Sequence, residues 1–141
     1  MSEGPDGEEP VPAEEEVRLT VPATPELLRL ARVTASGVAS RLGFSYDEVE
    51  DVRLAIDELC FAVTGGERQE GWVLMRYVVR GDADTLEIHG KVSFAAPGSE
   101  PLLNELSGAV LDALVDEHAV YRDDDNGSPS FRLLKRRSGS Q

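Results

Sequence analysis

The carboxylate at position 58 belongs to a residue type that can do acid–base chemistry. It lies in the segment 51–62, whose apolar spacing predicts a helix. Residues three and four apart share a helical face, so Asp51, Leu54, Glu58 and Ala62 should point in one direction. A carboxylate at 58 can accept a proton, but the methyl group of Ala62 offers no oxygen to a hard ion such as magnesium.

The other reactive residue types show no spacing typical of a catalytic or metal site. Cys60 borders the apolar stripe without a basic neighbour at helical spacing, which favours a buried apolar role. His89 and His118 stand apart from any cluster of metal-binding residues, so no metal site is predicted. The acidic run 123–127 is no EF-hand loop, because Ser128 stands where that loop requires glycine. Its Asn-Gly step predicts a hairpin turn instead.

Length, charge and cysteine use limit the protein classes that fit. The 141 residues are enough for one domain, and the formal net charge is -13. An acidic surface repels phosphate backbones, so no direct nucleic-acid binding is expected, and a basic protein partner suits it better. With one cysteine, no visible leader and no apolar run near the 20 or so residues of a membrane span, we expect a cytoplasmic protein without membrane contact.

Eight elements are predicted from periodicity and from turn residues. The segments are a strand at 17–21, helices at 25–42 and from Ser45 to Gly65, strands at 72–79 and 85–93 around a hairpin at 81–84, a helix at 102–115, and strands at 119–122 and 130–134. Helices grouped beside a mostly antiparallel sheet predict an α+β fold, a two-layer α/β sandwich with the helices on one face. We expect one domain over 16–136, with a disordered acidic tail at 1–15 and a disordered end at 137–141.

The two long helices have predicted core stripes. In the first helix, Thr24 is the candidate N-cap and Leu28 is expected to face solvent. The predicted core side of that helix is Leu27, Leu30 or Ala31, Thr34, Val38 and Leu42. The predicted core side of the second helix is Val49, Val52, Ile56, Leu59 and Val63.

Three separated stretches, 17–23, 43–51 and 113–117, together with the segment 51–62, resemble the anti-sigma-factor serine kinases. This family belongs to the ATPase superfamily of histidine kinases, gyrase and Hsp90. The resemblance spans about residues 17–135 and implies a histidine-kinase-like ATPase fold. It also implies that Glu58 corresponds to the catalytic base of the family.

The same resemblance implies that three nucleotide motifs have degenerated. The family's magnesium-chelating Asn, four residues after the Glu, corresponds to Ala62. Its Asp-x-Gly-x-Gly motif, whose Asp reads the adenine amino group, falls near Gly90, where 89–94 contains no Asp. Its glycine-rich phosphate motif falls at Glu105, Leu106 and Ser107, and a carboxylate there would repel phosphate.

Two functional hypotheses follow from this resemblance. One is an anti-sigma-factor-like regulator that binds a sigma factor or an anti-anti-sigma antagonist, with ATP binding lost or weak and no cofactor. The alternative is an active serine/threonine kinase that uses ATP and magnesium to phosphorylate such an antagonist. The resemblance also implies a homodimer, or a heterodimer with a related protein, formed through the first strand and helix, where apolar residues exceed what one core stripe requires.

Overall fold

The chain folds as three helices packed on one side of a five-stranded antiparallel sheet, in a computed structural model that describes residues 15–65, 70–94, 104–123 and 127–138. The strands are β1 Glu15–Pro22, β2 Gly71–Arg80, β3 Thr85–Phe94, β4 Glu117–Arg122 and β5 Pro129–Arg136. The helices are α1 Pro25–Arg41, α2 Tyr46–Thr64 and α3 Glu105–Leu114. The strand order is β1-β2-β3-β5-β4, so the predicted α+β sandwich is confirmed.

Strand alternation separates a helix-facing side of the sheet from an open face. On β2, Val73, Met75 and Tyr77 are buried against the helices, while Leu74 and Arg76 between them are exposed. The predicted hairpin between β2 and β3 is present, and it turns through Gly81 and Ala83, both with positive φ. The predicted turn at Asn126 lies outside the described residues, although β4 and β5 pair as expected on either side of it.

The core side of α1 matches the prediction in part: Ala31 and Leu42 are buried and Val38 packs against the core, as predicted. Its buried residues are Ala31, Ala35 and Ala39, whereas Leu27 and Leu30 are exposed. Small side chains let the helix backbone approach the sheet closely, as shown by the Tyr77 hydroxyl, which donates a 2.8 Å hydrogen bond to the Ala31 carbonyl. The core stripe of α2 is confirmed: Val52, Ile56, Leu59 and Val63 are buried and Val49 packs against them.

Two details of α1 also correct the sequence predictions. Leu28, expected to face solvent, is partly buried and packs against the core. Thr24 stands at the N-cap, but its side chain makes no capping hydrogen bond, and its carbonyl oxygen accepts from the amides of Leu27 and Leu28 instead.

The ends of the domain differ slightly from the predicted boundaries. Glu15 already belongs to β1, and two residues of the predicted disordered end are anchored. The Arg137 amide donates to the Asp84 carbonyl at 2.7 Å, and the amide and hydroxyl of Ser138 both donate to Glu48 at 2.6 Å. Residues 1–14 and 139–141 lie outside the described residues. Every helix in the described ranges is too short or too polar to cross a membrane.

Candidate functional site

A capping box fixes the start of α2, the helix that carries the candidate base. The Ser45 hydroxyl accepts from the Glu48 amide at 3.1 Å, and Glu48 Oε1 accepts from the Ser45 amide at 2.8 Å. The sequence signals this motif, a serine followed three residues later by glutamate. The helix ends at Gly65, whose φ of 76° is in the left-handed region that favours glycine.

The four positions predicted to share a face of α2 have different environments. Asp51 forms an ion pair with Lys135 at 3.3 Å, and the same Lys135 ammonium donates to the Leu114 carbonyl at 2.7 Å. Leu54 is exposed, Glu58 is partly buried and Ala62 is fully buried. Asp51 therefore ties α2 to β5 and to the end of α3, and only Leu54 and Glu58 of the four are accessible to a ligand.

Glu58 keeps its carboxylate unengaged. Within the described residues it makes no hydrogen bond or ion pair, whereas its neighbour Asp57 pairs with Arg32 of α1 at 2.9 Å. Two residues on, Cys60 is buried as predicted, and burial, with a smaller contribution from Asp57, raises the pKa of its thiol to about 12. The thiolate is therefore inaccessible at neutral pH, and Cys60 acts as an apolar residue.

Gly90 is explained by packing on the helix-facing side of the sheet. A Cβ atom at this position would lie 2.3 Å from Cε2 of Phe131, because the ring of that buried residue lies directly over the glycine. The neighbouring helix-facing residues of β3 are Ile88 and Val92, both buried. The space in which the family motif would place an adenine-binding carboxylate is thus lined by apolar side chains.

The start of α3 is capped by its own chain. Asn104 is the N-cap, and its Oδ1 accepts a 2.8 Å hydrogen bond from the Ser107 amide. Glu105 is exposed in the first turn. A helix N-terminus binds phosphate through free amides, and the Ser107 amide is already satisfied. The prediction started this helix at Leu102, which lies outside the described residues, and so missed Asn104, although an Asn before Glu and an apolar run is a recognised start signal.

Among the described residues, these positions supply few groups that could bind a magnesium ion. Of the four predicted site residues, Glu58 and Ala62 lie on α2, Gly90 lies on the helix-facing side of β3, and Ser107 lies in the first turn of α3. Among them, only Glu58 offers a carboxylate, and no group of three or more metal-binding side chains occurs in the described part of the chain. His118 bonds to Asp112 at 2.7 Å, and His89 lies on the open face near Glu87.

Several known proteins to which this chain is similar are named serine-protein kinase RsbW. No family model matches the chain. It is 31% identical over 125 residues to the serine-protein kinase RsbW of Bacillus licheniformis, which covers 76% of this chain and 78% of that protein. It is 39% identical over 77 residues to RsbW of Bacillus pumilus, and 50% identical over 44 residues to RsbW of Bacillus subtilis.

The last two matches are partial. They cover 51% and 31% of this chain, and the chain spans 46% and 28% of those two relatives. The match to the Bacillus licheniformis protein covers most of both chains, and the five-stranded sandwich agrees with the fold that the sequence resemblance implied. The chain therefore belongs to the RsbW family of anti-sigma-factor serine kinases, within the histidine-kinase-like ATPase superfamily.

Proposed function

We propose that this protein regulates transcription by binding a sigma factor or an anti-anti-sigma antagonist, and that it binds ATP weakly or not at all. The observation that carries this proposal is the hydrogen bond between Asn104 Oδ1 and the Ser107 amide, which uses a donor that a phosphate would need. The buried methyl of Ala62 and the Phe131 ring over Gly90 support it.

Exposed apolar side chains of the helical layer supply the surface for protein binding. They occur on all three helices and include Leu30, Val33, Leu54, Phe61 and Leu106. A contiguous patch of exposed apolar side chains usually marks a contact site, so we propose that neighbouring members of this set contact the partner. A regulator that acts through such a surface needs no cofactor and can work from a cytoplasmic location.

Isothermal titration with Mg-ATP and Mg-ADP tests the proposal. We expect no saturable heat at nucleotide concentrations up to about 1 mM, equivalent to a binding free energy weaker than about -4 kcal/mol. The Glu58→Ala variant serves as the matched control and should give the same trace. A dissociation constant in the low micromolar range for the unmodified protein would refute the loss of nucleotide binding.

The second candidate function is the active kinase, and the unengaged carboxylate of Glu58 favours it. If the regulatory proposal is right, Glu58→Ala should change stability and partner binding by no more than roughly 0.5 kcal/mol, as is typical of surface substitutions. The assay is transfer of labelled phosphate to an antagonist protein. Transfer that Glu58→Ala abolishes and Asp57→Ala preserves would establish the kinase, because Asp57 is paired with Arg32.

A dimer formed through α1 and β1 remains part of the proposal. Leu28 packs against the core, so Leu28→Glu would destabilise the fold rather than test an interface. Val33 is 60% exposed on α1 and is the better position. We expect a dimer at roughly 100 µM that Val33→Glu converts to folded monomer, since a two-fold interface buries the same patch twice.

Sedimentation velocity measures this, with circular dichroism to show that the variant is folded. Leu54→Glu is the control, because Leu54 is 51% exposed on α2 and lies outside the predicted interface. A monomeric unmodified protein would contradict the dimer, and an intact Val33→Glu dimer would exclude this surface.

A further inference from the structure

The open face of the sheet has a charge distribution unlike that of the whole chain. Its cationic and ionisable basic side chains come from four strands: Arg18, Arg76, Arg80, His89, Lys91 and Arg132. Fewer carboxylates accompany them on this face, among them Glu16 and Glu87. A chain with a net charge of -13 thus presents one face rich in basic groups.

Two carboxylates of the open face, Glu16 and Glu87, lie deeper than the cations that pair with them, whereas Glu117 at 45% is more exposed than its partner Arg132. Glu87 is 9% exposed, between Arg80 at 41% and Arg132 at 32%. Glu16 is 27% exposed and pairs with both Arg76 at 45% and Arg18 at 77%. Around Glu16 and Glu87 the guanidinium groups reach further into solvent than the carboxylates, which favours a positive potential there.

A groove of about 540 Å³ crosses this face. Its lining includes Arg18, Leu74, His89, Lys91 and Tyr121. It also includes one carboxylate, Asp123, which pairs with Lys91 at 3.0 Å and leaves Arg18, 77% exposed, as the most accessible cation. Leu74 and Tyr121 are each 42% exposed, and Trp72, two residues before Leu74 on β2, is also exposed. Cations beside exposed apolar and aromatic side chains suit an extended polypeptide that carries carboxylates.

Residues 1–14 of the same chain have this chemistry. They lie outside the described residues, and they contain Glu3, Asp6, Glu8, Glu9 and Glu14 but no Lys, Arg or His. They lead directly into β1, which carries Arg18 at its fourth residue.

The segment is also long enough. Fourteen extended residues span up to about 46 Å, whereas five strands spaced about 4.8 Å apart make a sheet only about 19 Å across. A reversal of about four residues before β1 still leaves about ten to cross the groove.

We propose that residues 1–14 fold back onto the open face of their own chain and occupy the groove beside Arg18 and Lys91. The tether gives the segment an effective concentration of about millimolar, so weak ion pairs are enough to keep it bound. An acidic segment of any other protein then has to displace it. The tail thus regulates access to a binding surface distinct from the apolar surface of the helices, and the inference does not depend on the proposed function.

The test uses the full-length chain and a variant in which Glu3, Asp6, Glu8 and Glu9 are changed to Gln or Asn. Each is titrated with a fluorescein-labelled peptide of residues 1–14, and binding is followed by polarisation. We expect the neutralised variant to bind the peptide at least about tenfold more tightly than the unmodified chain, whose own tail competes. Trp72, the one tryptophan of the chain, should change its emission in 1 M NaCl in the unmodified chain only, since the Debye length is then about 3 Å.

Charge reversal locates the binding surface. Adding Arg18→Glu and Lys91→Glu to the neutralised variant should abolish peptide binding. The milder pair Arg18→Gln and Lys91→Gln should weaken binding, and an unchanged circular dichroism spectrum would show that this variant is folded. Arg29→Glu with Arg53→Glu, two cations of the helical layer, is the control and should leave binding unchanged. Equal peptide affinity in the unmodified and neutralised chains, or binding that survives the Arg18 and Lys91 changes, would overturn the proposal. Salt-sensitive self-association that needs the acidic tail would overturn it in favour of a second copy as the source of the segment.

Discussion

Gly90→Ala is expected to lower the free energy of unfolding by about 3 kcal/mol, at the upper end of the usual range for overpacking. The added Cβ atom would lie 2.3 Å from Cε2 and 2.4 Å from Cζ of Phe131, so the ring or the strand has to move. Phe131 is fully buried, which leaves the ring little room to give way. Gly90 does not have a positive φ, so the cost arises from the contact and not from backbone strain.

Urea denaturation of four variants separates this contact from a general effect of removing glycine. The variants are the two single changes Gly90→Ala and Phe131→Leu, their combination, and Gly37→Ala. Gly90→Ala combined with Phe131→Leu should be less destabilised than the sum of the two single changes, because the smaller side chain makes room for the methyl group. Gly37→Ala is the control, since a Cβ there meets nothing within 4 Å and alanine is favoured in a helix by up to about 1 kcal/mol. A cost below about 1 kcal/mol for Gly90→Ala would contradict the packing explanation.

Lowering the pH from about 4.5 to about 2 should remove on the order of 2 kcal/mol of stability through Glu48 alone. Burial by itself would raise the pKa of Glu48, but hydrogen bonds from Ser138 and Ser45 outweigh it and lower the pKa from 4.5 to about 2. The folded-state pKa is therefore below the unfolded value. The stabilisation is fully present above pH 4.5 and is lost as the pH falls towards 2.

Comparison of chemical denaturation at several pH values for the unmodified protein and Glu48→Gln isolates this contribution. The variant should start less stable at pH 7 and lose less stability on acidification. Other carboxylates with lowered pKa values, such as Glu16 and Glu87, titrate in both proteins and cancel in the difference. Glu50→Gln, which removes an i,i+3 pair with Arg53, is the control. Parallel pH curves for the unmodified protein and Glu48→Gln would show that this carboxylate does not couple to folding.

Elements whose signals are local were predictable from the sequence. The start of α2 follows from Ser45 and Glu48, and its core stripe follows from apolar spacing. The α1 stripe was predicted only in part, with Ala31, Val38 and Leu42 correct. Ranking by hydrophobicity favours Leu27 and Leu30, whereas close approach of a helix to a sheet favours alanines at i, i+4 and i+8. The anchoring of Ser138 on Glu48 joins residues 90 apart, and no local pattern announces it.

The candidate site was predictable as a set of residue identities and not as a set of contacts. That Ala62 lacks an oxygen can be read directly from the sequence. That Phe131 covers Gly90 depends on the register between β3 and β5, in which these two residues are partners. The link from Asp51 through Lys135 to the end of α3 likewise needs three elements in place.

Under the proposed function, the Asn104 cap sets the order in which nucleotide binding could be regained. A phosphate oxygen that binds the Ser107 amide has to displace Oδ1 of Asn104 from it. An N-cap is worth about 1 kcal/mol, which corresponds to about a fivefold loss of ligand affinity. Ala62→Asn introduced alone would place a new amide in a buried position while the phosphate end stays closed. A laboratory evolution experiment selecting for ATP binding should therefore accumulate changes at Asn104 and Glu105 before any change at Ala62 is retained.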